Sequence, residues 1–140
     1  MAAIFRDSAE LRTYLGRMFE IFVEAPEYAE TLRRSGLVVR LICTDPDCVI
    51  VVDFPNRDVC YPEPAGEARA PNVEMRMNSR DAHLFWLGKL SFPLAMAHRK
   101  VRMDGSTAKA MKLLPLTEPL FDIYRRLLAD AGRTDLIAAG

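Results

Sequence analysis

Few side chains in this sequence are suited to acid–base or nucleophilic chemistry, and none falls into a recognisable catalytic motif. The two histidines are His83 and His98, and the three cysteines are Cys43, Cys48 and Cys60. A catalytic triad needs a nucleophile, a base and an orienting group that converge. His83 lies early in a predicted helix and His98 in a polar turn, so both are interpreted as surface or satisfied structural histidines. We therefore predict no catalytic residues and no enzymatic activity.

The spacing of the other polar residues also argues against metal, cofactor and nucleic-acid sites. Three cysteines without a C-x-x-C spacing argue against a disulfide framework and a structural zinc site, and they indicate reduced thiols. Asp45 and Asp47 flank a proline, as solvated turn formers do. The seven glycines form no phosphate-binding loop, and 19 basic residues balance 19 acidic ones, so no basic field is available to bind nucleic acid. We predict no metal and no cofactor.

The first element that the pattern defines is a helical arm over residues 7–34. Asp7 and Glu10 have the spacing of a capping box, and apolar residues then recur at helical spacing to residue 24. Pro26 can open a second short helix, which Ser35-Gly36 ends. This arm is a candidate surface for homodimerisation.

The second element is a sheet over residues 37–103, with helices inserted in it. From Leu37 the hydrophobic period changes to two, and Asp45-Pro46-Asp47 supplies turn chemistry. The predicted strands cover residues 37–44, 48–54, 57–61, 73–77 and 100–103, with a surface loop from Pro62 to Pro71. Alternation puts Val73, Met75, Met77, Val101 and Met103 inward, and Glu74, Arg76, Lys100 and Arg102 toward solvent.

The remaining segments are predicted to be helical. Ser79 is predicted to cap a helix that Gly88 ends, and Ser91 with Pro93 to start another. Asp104-Gly105 is expected to break the last strand. Residues 106–131 then form the C-terminal helices: one capped by Ser106 and running to about Leu114, and one beginning at Thr117, with a joint between Pro115 and Pro119.

Methionine and phenylalanine are abundant, with seven of each, and many lie at predicted inward positions in the second half of the chain. Methionine adapts to irregular space, which suits an apolar cavity. The same residues would also fill an ordinary core, and composition alone favours that second interpretation.

A sequence pattern reverses this preference. Gly88-Lys89-Leu90 is followed by Pro93, then by Lys100 to Gly105, and then by the small and apolar face of Ala108, Ala110, Met111 and Leu113. Over residues 71–114 this order resembles the pattern of the sterol carrier protein type 2 family. The chain departs from that pattern at Arg99, where the family usually has glycine, and at Pro93, which comes one residue later than usual.

The length fits one domain over residues 1–140, and helices segregated from an antiparallel sheet are an α+β pattern. The resemblance implies in addition a five-stranded, mainly antiparallel sheet with helices on one face, enclosing an apolar tunnel for fatty acids, acyl-CoA or sterol-like molecules. The segments around that tunnel carry ten apolar and aromatic residues that we predict to bind the ligand. They are Phe85, Trp86, Leu90, Phe92, Met96, Met103, Met111, Leu114, Phe121 and Tyr124. We predict the tunnel mouth near the joint at Pro115 and Pro119.

Two alternatives to a lipid carrier remain at this point. One is an interaction or oligomerisation module that partners an enzyme and has a filled interior. The other is an enzyme on the same scaffold, which would need His83 or a cysteine to face the tunnel. The basic residues Arg99, Lys100 and Arg102 are a candidate for transient contact with an anionic membrane surface. The sequence has no apolar run of membrane-spanning length and no signal-peptide pattern, so we expect a cytoplasmic protein.

Overall fold

The computed structural model describes residues 4–62 and 70–138. Helical structure runs without a break from residue 8 to residue 24, as α1 (Ser8–Leu11), a π-helical turn (Arg12–Gly16) and α2 (Arg17–Glu24). The Asp7 side chain accepts a hydrogen bond from the Glu10 backbone N–H at 2.9 Å, which confirms the predicted cap. A 3₁₀ turn (Pro26–Tyr28) and α3 (Ala29–Ser35) complete the arm, and Gly36 ends it in the left-handed conformation, φ 65°.

Five strands form one mixed sheet in the order β3-β2-β1-β4-β5. The strands are β1 (Val38–Thr44), β2 (Cys48–Asp53), β3 (Asp58–Cys60), β4 (Val73–Asn78) and β5 (Val101–Gly105). Strand β1 pairs in parallel with β4, and the other three pairings are antiparallel. The predicted meander and mainly antiparallel sheet are thus confirmed. Most of the predicted loop from Pro62 to Pro71 falls outside the described residues.

The strand register agrees with the predicted alternation. Val73, Met75, Met77 and Val101 are buried and Met103 is half-buried, while Arg76, Lys100 and Arg102 are exposed. Glu74 is half-buried beside Arg40, whose guanidinium donates to its carboxylate at 3.0 Å. Charged groups therefore keep their solvation or a partner, while the apolar face of the sheet packs into the core.

The helix after β4 differs in its cap. Helix α4 (Ser79–Trp86) begins at Ser79, and its N-cap is Asn78, whose side chain accepts from the Asp81 N–H at 2.8 Å. Ser79 is buried and its hydroxyl donates to the backbone carbonyl of Asp45. The prediction that Ser79 is the cap was wrong by one residue, because both types cap well and Ser79 is used in a contact to the β1–β2 turn.

The predicted strand break at Asp104-Gly105 is absent from the structure. Strand β5 continues through Asp104 and Gly105, since Gly105 pairs with Val73 and adopts φ 118°, which glycine tolerates. Helix α5 (Phe92–Ala97) precedes this strand and is capped by Ser91, as predicted.

The C-terminal helices are one continuous helix, α6 (Thr107–Asp130), with Pro115 and Pro119 inside it. The predicted joint was therefore wrong. Each proline removes one backbone hydrogen bond. The helix persists because Leu113, Leu116 and Leu120 form a buried stripe against the core. A last short helix, α7 (Thr134–Ala138), was not predicted.

Buried apolar side chains from the arm, the sheet and the later helices form one cluster that extends from Phe5 to Leu136. The apolar face of the arm lies in this cluster, through Leu11, Leu15, Met18 and Phe22. The arm therefore packs on the rest of the chain and supplies one wall of the core.

Candidate apolar ligand site

The predicted ligand residues divide by their burial. Phe85, Trp86 and Tyr124 are buried; Leu90, Phe92, Met103 and Phe121 are half-buried; Met96, Met111 and Leu114 are exposed. Apolar side chains that are exposed next to one another on a folded surface commonly mark a binding site. Here the exposed members come from α5 and the first half of α6.

Phe85 of α4 is the centre of an aromatic group. Its ring centroid lies 4.8 Å from that of Trp86, 5.7 Å from Phe92 and 6.3 Å from Phe121, each at a steep angle. Such edge-to-face contacts are favourable beyond simple burial. Phe19 of α2 joins the group 5.2 Å from Trp86, and it was not predicted because its segment was interpreted as an arm. Four of the ten predicted residues are thus brought together.

A cleft of about 570 Å³ separates α5 from β5, and it brings together two further predicted residues, Met96 and Met103. Its walls are amphipathic, since Arg99 and Arg102 line it as well. Arg99 has φ 59°, a left-handed conformation that glycine adopts more easily. The turn between α5 and β5 therefore has a backbone conformation that glycine would adopt with less strain than arginine.

Met111 and Leu114 lie outside both groups. They are three residues apart on α6 and so share one side of it, and Met111 is 61% exposed. Leu94 of α5, which was not predicted, is 59% exposed. Its position in a six-residue helix with only Ala95 buried carries no periodicity that sequence analysis could use. Together these residues leave apolar surface on both helices.

The indole of Trp86 has an unsatisfied polar atom. Trp86 is 1% exposed, and its Nε1–H has no hydrogen-bond partner within residues 4–62 and 70–138. A buried donor without an acceptor costs about 1–3 kcal/mol. An acceptor from a bound molecule would remove that cost, and few buried native groups lack a partner without such a reason.

Tyr124 and His83 form a closed pair in the core. The Nε2–H of His83 donates to the Leu136 carbonyl at 2.7 Å, so Nδ1 is the acceptor, at 2.7 Å, for the hydroxyl of Tyr124. Burial lowers the pKa of His83 and raises that of Tyr124. Both groups are neutral and satisfied, which agrees with the structural interpretation of His83. His98 is exposed at the end of α5.

The three thiols are unpaired and held in their protonated form. Burial raises the pKa of Cys43 to about 12 and raises those of Cys48 and Cys60 as well. A thiolate is the reactive species, so none of these sites favours a cysteine nucleophile. Within residues 4–62 and 70–138, no group of three or more potential metal-ligand side chains is found.

Charge is unevenly distributed along the chain. From Lys89 to Lys112 there are six Lys or Arg residues and one acid, Asp104, although the whole chain has zero formal net charge. Arg99, Lys100 and Arg102 are exposed beside the cleft. No helix in the described part of the chain is long and apolar enough to span a bilayer.

Solved sterol carrier structures share this fold at low sequence identity. The sterol carrier protein domain 2 of Helicoverpa armigera superposes with a TM-score of 0.67 at 18% identity, covering 87% of this chain and 96% of that one. The apo sterol carrier protein 2 of Yarrowia lipolytica gives 0.61 at 12% identity, covering 87% and 99%. The Aedes aegypti sterol carrier protein 2, solved as a complex with palmitate, gives 0.57 at 16% identity, covering 82% and 98%.

The arrangement of five strands and helices is therefore the sterol carrier fold. A search of curated proteins gives no match. The model of the SCP-2 sterol transfer family matches residues 17–118, and the chain belongs to that family. The resemblance in residues 71–114 is thereby confirmed.

Proposed function

We propose that this chain is a non-catalytic carrier that binds a lipid-like molecule, such as a fatty acid, acyl-CoA or a sterol, in an apolar tunnel. The observation that carries the proposal is the apolar surface of α5, β5 and α6 beside the aromatic group of Phe85. Each Å² of apolar surface that a ligand removes from water contributes about 25 cal/mol. Family membership and the palmitate complex of the Aedes aegypti protein support the same class of ligand.

In this proposal the ten predicted residues have different roles. Phe85, Trp86, Phe92 and Phe121 form the inner wall, and Tyr124 closes the core side with its hydroxyl on His83. Met96 and Met103 border the entrance, which we assign to the cleft between α5 and β5 instead of the proline joint, and Leu90 adds half-buried apolar surface between α4 and α5. Met111 and Leu114 offer apolar surface on α6, and the Trp86 N–H provides a donor for a ligand oxygen.

The surroundings of the cleft also bear on ligand delivery. We propose that Arg99, Lys100 and Arg102 make transient contact with an anionic membrane while Leu94 and Met96 reach its interface. Basic side chains contribute about 1 kcal/mol each near such a surface. Homodimerisation through the arm stays a prediction. Because the apolar face of the arm is buried in its own core, such a dimer would use the polar face.

Titration with a fluorescent fatty acid tests the proposal. We expect saturable one-to-one binding that changes Trp86 emission, because the only tryptophan lies in the inner wall. Met103→Arg should abolish binding, because an apolar ligand cannot displace the water that hydrates the new charge. The free energy of unfolding should fall only a little, because the half-buried position lets the charge stay hydrated through the cleft.

Thr44→Arg is the matched control, because it adds the same charge at an exposed position at the end of β1. It should leave binding unchanged. If neither fatty acids nor sterols bind saturably to the wild-type chain, the carrier is refuted and the interaction module is favoured. Equal loss of binding in both variants would refute the assignment of Met103 to the entrance.

A further inference from the structure

Arg12 is a half-buried cation in the π-helical turn between α1 and α2. Its guanidinium carbon lies 5.1 Å from the centroid of the Tyr61 ring, within the range of a cation–π contact. Its Nε–H is buried and has no hydrogen-bond partner among the described residues. This N–H therefore loses hydration without gaining an acceptor from them, which is costly.

The nearby carboxylate is already in use. The hydroxyl of Tyr61 donates to Glu20 at 2.5 Å, and Arg17 donates to the same carboxylate at 3.4 Å. Arg12 also reaches the thiol of Cys48, whose pKa is raised by burial and lowered by this contact, but a protonated thiol brings no negative charge. Within residues 4–62 and 70–138 Arg12 has no ion pair, so none of these residues neutralises its charge.

Backbone structure holds this arrangement in place. The π-helical turn spans Arg12 to Gly16, and such turns occur often at functional sites. A Cβ atom on Gly16 would lie 2.3 Å from the hydroxyl oxygen of Tyr61, so only glycine allows the ring to approach the helix this closely. The turn and Gly16 thus keep the aromatic ring beneath the guanidinium.

An open cleft of about 510 Å³ gives access to the cation. Arg12, Arg17, Tyr14 and Tyr61 line it, together with Leu127 and Ala131 near the end of α6. A molecule in this cleft would therefore contact both the guanidinium and apolar side chains. Among the described residues that line it, the only acid is Glu20, which Tyr61 and Arg17 already engage.

We propose that this cleft binds an oxyanion, a carboxylate or a phosphate group, through Arg12. The anion supplies the negative charge that the described residues do not, and it accepts hydrogen bonds from the N–H groups of a guanidinium held in place by Tyr61. This site goes beyond the proposed lipid carriage and does not depend on it. Arg12 lies ahead of residues 17–118, the part that the family model matches, whereas Arg17, Glu20 and Tyr61 lie within it.

NMR of the arginine side chains of the full chain tests the site without a variant. The buried Nε–H of Arg12 should give a protected signal. Additions of sodium phosphate and of sodium hexanoate should each shift this signal along a saturating curve, at ionic strength held constant with chloride. Tighter binding of hexanoate than of phosphate would indicate an amphiphilic carboxylate, and the reverse order a phosphate compound. A shift that stays linear, or that chloride alone reproduces, would overturn the proposal.

Variants separate this site from a general charge effect. Arg12→Gln should weaken binding about tenfold or more, as expected for loss of a charge-assisted hydrogen bond. Arg34→Gln removes an exposed arginine that pairs with Glu30 and should leave binding unchanged. Equal weakening in both variants would contradict the site. Binding of the fluorescent fatty acid at the other cleft should survive in Arg12→Gln, so the failure of one proposal can be distinguished from failure of the other.

Discussion

His83 should make the stability of this protein depend on pH below neutrality. The imidazole is 0% exposed, with Nε2–H on the Leu136 carbonyl and Nδ1 on the Tyr124 hydroxyl. Burial lowers its pKa below the ordinary value of 6.5, and the positive charges of Lys89, Arg80 and Arg133 lower it further, while the bond to Leu136 opposes them. Protonation would place a second donor against the Tyr124 hydroxyl.

The sign follows from proton binding in the two states. Below pH 6.5 the unfolded chain takes up a proton at residue 83 that the folded protein does not, so the free energy of unfolding falls as the pH falls. The loss approaches about 1.4 kcal/mol per pH unit and stops below the lowered folded-state pKa. Above pH 6.5 both states hold neutral imidazole, and the contribution is fully present.

Urea denaturation at intervals from pH 7.5 to pH 5 measures this slope. We expect His83→Gln to be less stable at pH 7.5 by about 1–3 kcal/mol, because the Tyr124 hydroxyl loses its acceptor, and to show a flatter pH dependence. His98→Gln, at an exposed histidine, should keep the wild-type slope. A wild-type slope that persists in His83→Gln would refute this account of the buried pair.

Three other predictions concern backbone and thiols. Pro115→Ala should raise the free energy of unfolding, measured by thermal or urea denaturation, by about 1–2 kcal/mol. Proline costs about 3 kcal/mol in a helix interior, and the restriction that it imposes on the unfolded chain offsets part of this cost. A destabilised variant would contradict the prediction. Gly105→Ala should destabilise by more than about 2 kcal/mol, since its Cβ would lie 2.2 Å from the Asn72 carbonyl oxygen at φ 118°, and a neutral effect would show that β5 does not have this geometry. Thiol titration should find three free groups after denaturation but slow reaction of Cys43 in the native protein, and fewer than three would indicate a disulfide.

The sheet could be predicted from sequence because its signals are local. Val73 to Met77 alternates cleanly, and the Asp45-Pro46-Asp47 turn between β1 and β2 fixes which residues face each other. The order of the elements followed from the same alternation and from the caps. The parallel pairing of β1 with β4 was not predicted from period or turn chemistry, since those residues are far apart in sequence.

The errors came from packing that outweighs local preference. Pro115 and Pro119 predict a break in the helix, but the packing of the buried leucines of α6 against the core stabilises a continuous helix across both prolines. Helix α7 is too short to show periodicity, and it is fixed by the bond from His83 to Leu136 and by the contact of Lys89 with the Ile137 carbonyl. Such long-range contacts leave no mark in a local pattern.

The candidate site shows the same limits. The aromatic group could be predicted because the family pattern placed its segments together, and its residues are large and apolar. The Trp86 N–H, which has no acceptor in the described part of the chain, could not be predicted, and neither could the charge of Arg12, which has no acidic partner there, because both depend on which groups the fold brings close. Sequence spacing predicts which residues of one helix or strand lie on the same face, but it does not predict which polar groups lack a partner in the folded chain.

Native mass spectrometry of the purified full chain tests the central claim most directly. The account predicts either a bound hydrophobic molecule that leaves on denaturation or, in delipidated protein, uptake of one palmitate per chain that saturates and is lost in Met103→Arg. A chain that carries no such molecule and takes up neither palmitate nor a sterol would contradict lipid carriage by this protein.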